Sequence, residues 1–341
     1  MSLIAGSYEK FIWGYKLRQP KTTTSTDQTL TLTPQFSYAA HVSPIKSVAV
    51  AGVVAASSAG DDTVKLYDLS TSSELGSLLL ETSVNSLSFF TPPSLSSFPR
   101  NLFAAADDGS FSIFDVDPFV LLQTIQVHKK GINHLCVHPS GKLALTVGRD
   151  SCFAMVNLVR GRRSYNCRLE KEANIVEYCS DGGRFFMASD EKITVHEAED
   201  AKIVGEFECS KRVLCAASGE SGLIFTGGED RAITAWDTVS GKIAYSIEDA
   251  HKSRVKGIVV LSRDVNSGAA EDPFLLASAS SDGVIRVWDV RMTNKEKSKP
   301  LSEANTKSRL TCLAGSSIKS LKKLQLKKDT LEKNAVEMEE S

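Results

Sequence analysis

Short segments in which apolar and polar residues alternate recur along the chain, and each follows a tight turn. The clearest covers residues 277–289, where a run of small residues leads through Asp282-Gly283 to an alternating stretch that ends in Trp288-Asp289. A period of two is typical of a half-buried β-strand, and an Asp-Gly step between two such strands is typical of a hairpin. The pattern therefore predicts a repeated antiparallel β-unit.

Seven copies of this unit are marked by a turn acid and a landmark residue six positions later. The four copies that keep an aromatic–Asp ending are Asp61 with Tyr67, Asp108 with Phe114, Asp230 with Trp236, and Asp282 with Trp288. The three weaker copies are Glu9 with Tyr15, Asp150 with Val156, and Asp190 with His196. The landmarks lie 40 to 52 residues apart, and a WD40 blade spans roughly 40–45 residues. The longer intervals contain polar stretches that we expect to be loop insertions, namely 21–33, 91–100 and 262–273.

The first unit has the middle strands of a blade, within Leu3–Leu17, but no innermost strand before them. Arg309–Ala314 resembles the other inner strands and can supply it. An open ring would expose sheet edges, so we expect both chain ends to close one blade. The predicted fold is an all-β, seven-bladed WD40 β-propeller over residues 1–315, with the first blade shared by about 1–38 and 308–315. Residues 316–341 are predicted to form a lysine-rich tail, helical or disordered.

The units resemble WD40 repeats in a further respect, because His41, His128 and His251 precede inner strands. The resemblance implies that each histidine hydrogen-bonds a turn aspartate of its blade. The implied pairs are His41 with Asp61, His128 with Asp150, and His251 with Asp282. We interpret these residues, with Asp108, Asp230, Trp236 and Trp288, as a structural network and not as catalytic acids or bases, because a buried aspartate needs hydrogen-bond partners.

Composition narrows the class of protein. The net charge of −1 excludes a polycation, so contact with nucleic acid would need a local basic patch. The seven cysteines are odd in number and include no Cys-x-x-Cys pair, which favours a reducing compartment. The N-terminus lacks a signal-peptide apolar region, and no apolar run reaches 18 residues. We expect a cytosolic or nuclear protein without a membrane partner.

The sequence predicts no enzyme. It contains no phosphate-binding loop, dinucleotide fingerprint, nucleophile elbow or kinase signature. Alternation would place His134, Cys136 and His138 on one strand face, where zinc is one interpretation. Packing of a small buried cysteine in an inner strand is the favoured one. We expect no metal, no cofactor and no small-molecule substrate.

Two basic regions are candidate contacts for a partner. The loops and turns of one propeller rim carry Lys129, Lys130, Arg149, Lys211, Arg212, Arg231, Lys252 and Arg254, with Lys46 and Lys256 near the start of inner strands. Such a rim would attract phosphate or acidic peptide; the alternative is a solvated, charge-mixed surface with acids such as Glu248 and Asp249. The second region is the tail, with Lys319, Lys322, Lys323, Lys327 and Lys328. The tail is interpreted either as a basic helix that binds RNA or directs the protein to the nucleus, or as a disordered segment.

More specific strings resemble the p21-activated-kinase-interacting protein family, known in fungi as maintenance-of-killer proteins. They are residues 3–9 with 13–15, 138–148, 173–177, 277–283 and 308–313. The resemblance implies a scaffold for large (60S) ribosomal subunit biogenesis and pre-rRNA processing, located in the nucleus and there in the nucleolus. Its expected partners are proteins of pre-60S particles, with pre-rRNA as a direct contact left open, and the protein is expected to be monomeric outside its complex. The alternatives are negative regulation of a p21-activated protein kinase by direct binding, and a generic WD40 adaptor.

Overall fold

The computed structural model describes residues 1–18, 30–92, 98–219, 222–261, 275–290 and 299–316. Within these ranges the chain forms seven sheets, each of four antiparallel strands. Blade one combines the two chain ends: β1 (Ser2–Ser7), β2 (Phe11–Arg18), β3 (Thr31–Ala39) and β28 (Leu310–Ser316). Blade two follows as β4 (Ile45–Ala51), β5 (Val54–Ala59), β6 (Thr63–Asp68) and β7 (Ser73–Leu79). Blade three has β8 (Val84–Phe90), β9 (Asn101–Ala106), β10 (Ser110–Val116) and β11 (Phe119–Gln126).

The remaining four blades continue in chain order. Blade four has β12 (Ile132–Val137), β13 (Leu143–Gly148), β14 (Cys152–Asn157) and β15 (Arg162–Arg168). Blade five has β16 (Ile175–Tyr178), β17 (Arg184–Ser189), β18 (Lys192–Glu197) and β19 (Ile203–Glu208). Blade six has β20 (Val213–Ser218), β21 (Leu223–Gly228), β22 (Ile233–Asp237) and β23 (Lys242–Ile247). Blade seven has β24 (Val255–Leu261), β25 (Leu275–Ser280), β26 (Val284–Asp289) and β27 (Ser302–Asn305).

The ring is closed by the two chain ends, which confirms the predicted seven-bladed propeller. β28 pairs antiparallel with β1 from Ser2 opposite Ser316 to Ser7 opposite Leu310. Each inner strand packs beside the next around a central channel, and β28 lies between β4 and β24. The predicted hairpin turns are present as well, since Gly109 (φ 89°) has the positive φ that glycine adopts without strain.

The core lies between neighbouring blades, and the seam between blades one and seven shows how it holds the ring. Leu3 of β1 and Leu310 of β28 share an apolar cluster with Leu261, Leu275 and Ile285 of blade seven, and all are almost fully buried. Burying one such side chain stabilises the fold by about 1.5–3 kcal/mol. The closure therefore depends on inter-blade packing as well as on the β1–β28 hydrogen bonds.

One predicted loop insertion is too long. Thr31 and Thr33 pair with Arg18 and Lys16 of β2, so the end of the 21–33 segment belongs to β3. Threonine is β-branched and suits a strand with a paired neighbour, which is why a Thr-rich stretch continues the sheet. Residues 21–29 and 262–273, like 93–97 and the tail from 317, lie outside the described residues. No helix of membrane-spanning length and hydropathy occurs in the described part of the chain.

Candidate partner-binding face

The three predicted histidine–aspartate pairs are all in contact on one face of the ring. The distances from Nδ1 to the nearest carboxylate oxygen are 3.1 Å for His41 and Asp61, 2.9 Å for His128 and Asp150, and 3.4 Å for His251 and Asp282. The backbone N–H of the residue after each histidine donates to the same aspartate, at 2.9–3.0 Å. These bonds tie the loop before an inner strand to the turn between the two middle strands, so both lie on the same face.

The opposite ring nitrogen extends each network into the blade. His41 Nε2 lies 2.7 Å from Ser57 Oγ, which lies 2.8 Å from the Tyr67 hydroxyl. In blade seven, Ser278 Oγ lies 2.8 Å from His251 Nε2 and accepts the indole N–H of Trp288 at 2.9 Å. In blade four the network ends at Thr146, whose hydroxyl lies 2.9 Å from His128 Nε2, because Val156 stands at the aromatic position.

The electrostatics of these networks fit a structural role. Burial lowers the pKa of His41 although Asp61 opposes that shift. Burial alone would raise the pKa of Asp282, but the contacts with His251 and two backbone N–H groups lower it to about 2. All three histidine side chains are 0 % exposed, so no substrate could reach the rings.

The other blades depart from this pattern. Asp108 of blade three accepts the backbone N–H of Ser110 at 2.9 Å and no histidine. Asp230 of blade six accepts the Ser210 hydroxyl at 3.3 Å and the Ala232 N–H at 3.2 Å. Cys209 stands where blades two, four and seven have histidine, four residues before the inner strand. The repeat pattern did not predict this substitution.

A cavity of about 740 Å³ opens on the same face beside Cys209. Thr226 and Trp236, which correspond to Ser278 and Trp288, line it together with Asp230. The Trp236 indole donates to Thr226 Oγ1 at 2.9 Å, as in the complete networks. The spacing of Cys209 from Val213, compared with that of each histidine from its strand, is the signal that could have found the cavity.

The residues of the predicted basic rim lie in loops and turns of this face, with acidic residues among them. Lys129, Lys130, Lys211 and Lys252 are exposed, and Arg254 is half-buried. The other three cations are ion-paired: Arg149 with Asp107 at 2.8 Å, Arg212 with Asp190 at 3.4 Å, and Arg231 with Asp249 at 3.1 Å. The pairs reduce the positive potential of the rim, and its role in binding a partner stays a prediction.

A second ring of side chains surrounds the channel mouth on this face. In six of the described inner strands the ladder shifts at the second residue, which forms a β-bulge. The residues at these bulges all line the channel: Lys46, Asn85, Asn133, Leu214, Lys256 and Thr311. The two lysines are the only charged members of this set, and their surroundings differ.

Lys46 lies in a neutralised network. Its ammonium group donates to the Ser83 hydroxyl at 2.9 Å and to Asn85 Oδ1 at 2.8 Å. Asn85 in turn donates to Asp107 Oδ1 at 2.8 Å, and Asp107 holds Arg149. Positive and negative groups therefore alternate at this side of the mouth.

Lys256 lies among other cations. Burial lowers its pKa, and the charges of Arg254, Arg212 and Arg309 lower it further. Among the described residues, Lys256 has no carboxylate within ion-pair distance. We refer to Arg254, Lys256, Arg212 and Arg309 as the Lys256 cluster. Arg309 was not among the predicted rim residues, because it reaches this face only through the closing strand β28.

The residues weighed for zinc have separate partners. His134 Nδ1 donates to the Val176 carbonyl at 3.0 Å, and burial lowers the pKa of His134. His138 Nδ1 lies 2.7 Å from the Ser140 hydroxyl, and burial raises the pKa of Cys136 well above its ordinary value. Across the described ranges, no group of three His, Cys, Asp or Glu side chains is arranged to hold a metal ion. The five tail lysines, Lys319 to Lys328, lie outside the described residues.

Comparison with known proteins accounts for both the repeats and the ring. Residues 119–155 and 245–289 match the family model "WD domain, G-beta repeat", whose members are generally non-catalytic scaffolds. The p21-activated protein kinase-interacting protein 1-like of Danio rerio is 30% identical over 92% of this chain and 80% of its own length. The human p21-activated protein kinase-interacting protein 1 is also 30% identical, over 92% of this chain and 76% of its own. Protein MAK11 of Saccharomyces cerevisiae is 26% identical over 62% of this chain and 55% of its own. Since the vertebrate matches span almost the whole ring and not single repeats, the chain belongs to the p21-activated protein kinase-interacting protein 1 family of WD40 propellers.

Proposed function

We propose that this protein is a non-catalytic scaffold for large ribosomal subunit biogenesis and pre-rRNA processing, located in the nucleolus. Family membership over 92% of the chain is the observation that carries the proposal. The similarity to the fungal MAK11 protein supports the same assignment. The propeller contributes a rigid disc whose loops are free to bind several partners.

The Lys256 cluster supports the choice of partner. Lys256 lines the channel mouth and is influenced by the charges of Arg254, Arg212 and Arg309, of which Arg212 also pairs with Asp190. Burial of Lys256 reduces screening by solvent. A pre-ribosomal particle offers phosphates and acidic protein segments, and both are attracted by such a cluster. The rim lysines Lys129, Lys130, Lys211 and Lys252 add a weaker, more exposed positive field.

Sedimentation of the full chain in cell extracts tests the proposal. The tagged protein should co-migrate with large precursor particles, and its depletion should reduce large subunits relative to small ones. The double variant Arg254→Gln/Lys256→Gln should lower the particle-bound fraction several-fold, because neither cation has a carboxylate within ion-pair distance in the described part of the chain. The matched variant Lys46→Gln/Arg149→Gln changes the opposite side of the mouth, where Asp107 already neutralises the charge, and should have little effect. A wild-type protein found solely in light fractions would contradict the proposed function.

Kinase binding is the second candidate, and the name of the vertebrate relatives favours it. On this alternative the propeller would bind a p21-activated protein kinase and restrain it. Recovery with such a kinase in light fractions, together with unchanged large-subunit levels after depletion, would support this function over ribosome assembly.

A further inference from the structure

Blade six keeps three of the four groups that form the complete network of blade seven. Thr226, Asp230 and Trp236 stand at the positions of Ser278, Asp282 and Trp288, and the indole-to-hydroxyl distance is 2.9 Å in both blades. The imidazole is the missing group, because Cys209 replaces histidine. The side chain that would bridge the carboxylate and the hydroxyl is therefore absent from blade six.

Blades three and five show what a blade without histidine otherwise looks like. Leu80 stands four residues before β8, at the histidine position of blade three, and Leu169 lies in the corresponding loop before β16. Ala104 and Phe186 stand at the hydroxyl position. Both polar partners have been replaced by apolar residues. Leu80 and Ala104 share one apolar cluster, whereas Leu169 and Phe186 pack in two different ones. Blade six differs, because it keeps the Thr226 hydroxyl as well as the turn carboxylate. Asp230 accepts the Ser210 hydroxyl at 3.3 Å, but no imidazole joins it to Thr226.

A second planar group is missing from blade six. In blade seven the Arg286 guanidinium donates to the carbonyl of Ala250, the residue before His251, at 2.6 Å. In blade four the Arg163 guanidinium donates to the carbonyl of Val127, the residue before His128. The corresponding positions of blade six are Thr234 and Ile243, and both line the cavity. The cavity of about 740 Å³ thus occupies space that an imidazole and a guanidinium fill elsewhere in the same ring.

The charge of the cavity favours a cation. Asp190 and Asp249 already pair with Arg212 and Arg231 at its edge. Of the other charged lining residues, Glu208, Asp230 and Glu248 are acidic and only Lys211 is basic. In the described structure neither Glu208 nor Glu248 has a cation within ion-pair distance, so the cavity has a net negative charge.

We propose that this cavity binds an arginine side chain of a protein partner. The guanidinium is planar like the missing imidazole, and it has donors on several edges. It would donate to the Asp230 carboxylate and to the Thr226 hydroxyl, beside the Trp236 ring. This inference deepens the proposed scaffold function. It rests on that function for one point, which is that the partner is a protein.

Titration of the full-length protein with N-acetyl-arginine amide tests the site, with the indole N–H resonances of Trp236 and Trp288 as reporters. The Trp236 resonance should shift saturably at millimolar concentrations, while Trp288 should not move, because His251 fills its site. N-acetyl-citrulline amide, a neutral analogue of similar shape, should cause no saturable shift. A Trp236 resonance that does not respond, or responds equally to both probes, would overturn the proposal.

Three variants locate the response. Cys209→His should fill the cavity and remove the Trp236 response, whereas Cys209→Ser should retain it. Asp230→Asn should weaken the affinity for the arginine probe by about tenfold, since a charge-assisted bond is lost. The unchanged Trp288 resonance reports whether each variant is folded. Full affinity in both folded Cys209→His and Asp230→Asn would exclude this cavity as the binding site.

Failure of this inference can be distinguished from failure of the proposed function. If Cys209→His stays particle-bound in the sedimentation experiment and loses the arginine response, the scaffold function stands but the cavity does not make the essential contact. If wild-type protein binds the arginine probe and never joins precursor particles, the site stands and the ribosomal assignment fails.

Discussion

Blades six and seven are neighbours with the same strand order and the same tryptophan-to-hydroxyl hydrogen bond, yet only blade seven contains the full polar network. The His251 side chain is fully buried and closes its site, whereas Cys209 leaves an open cavity beside Trp236. The sheet of blade six nonetheless pairs all four strands, and its inner strand has the same bulge at the second residue as that of blade seven. The comparison shows that the imidazole closes a blade but is not what makes the blade form.

Packing between blades explains why blade six persists without it. Trp236 contacts Phe207 with ring centroids 5.1 Å apart, and it shares an apolar cluster with Phe186 and Val195 of blade five. Hydrophobic burial of this kind is the largest favourable contribution to folding. The polar network therefore adds stability and specificity to a blade that apolar contacts already hold in place.

The largest expected difference between blades six and seven is in the free energy of unfolding lost when the residue at the histidine position is replaced by alanine. His251→Ala leaves the Ser278 hydroxyl and the Asp282 carboxylate short of a buried partner and opens a cavity, so it should lower the free energy of unfolding by about 2–4 kcal/mol. Cys209→Ala removes one thiol from a site that is already open, and should cost less than about 1 kcal/mol. Urea denaturation measures both values. Equal costs would mean that the two sites are energetically alike, against the comparison.

A smaller difference should appear in acid. The pKa of Asp282 is about 2 in the folded protein against an ordinary value of 3.8, so its carboxylate stabilises the fold fully above about pH 4. That contribution is lost as the pH falls from 3.8 to about 2. We expect Asp282→Asn to cost about 1–2 kcal/mol at pH 6, a value reduced for partial contact with solvent, and less near pH 2.

Asp230→Asn is the matched control for this pH dependence. Asp230 has no imidazole partner and accepts bonds of 3.2 and 3.3 Å, so its replacement should cost less at pH 6 than that of Asp282. Urea denaturation between pH 6 and pH 2.5 measures the two variants against wild type. A cost for Asp282→Asn that is constant over this range would show that its carboxylate does not supply the acid-labile stability.

Local spacing predicted the ring and its closure. The six-residue interval from turn acid to landmark residue occurs once in each blade, because it is determined by a single hairpin. The closing strand was recognised because the segment that begins near Leu310 has the apolar pattern of the other inner strands. The histidine–aspartate contacts were implied by the resemblance to WD40 repeats, and both residues of each pair belong to one repeat. These features depend on residues that are close in sequence or equivalent between repeats.

The charge state of the rim could not be predicted in this way. Arg149 pairs with Asp107, which belongs to the preceding blade, and Arg309 reaches the Lys256 cluster through ring closure. These contacts join residues whose separation in sequence carries no periodic signal. The blade-six cavity is intermediate: the position of Cys209 could be read from the sequence, but Thr234 and Ile243 become relevant only once the other blades show arginines at those positions.

The smallest expected effect concerns the reactivity of the Cys209 thiol, which tests how strongly the cavity is shielded from water. Burial raises the pKa of Cys209 to about 12, and the charges of Asp230 and Glu191 contribute to this shift. Because the thiolate is the reactive form, iodoacetamide at pH 8 should modify Cys209 much more slowly than the exposed Cys167 of β15. Asp230→Asn removes one of the charges that disfavour the thiolate, and should speed modification of Cys209 several-fold while leaving Cys167 unchanged. Peptide mapping by mass spectrometry measures both rates in one sample. If Cys209 reacted as fast as Cys167 in the wild-type protein, water would solvate the cavity well enough to ionise the thiol, and blade six would differ from blade seven in hydration more than in charge.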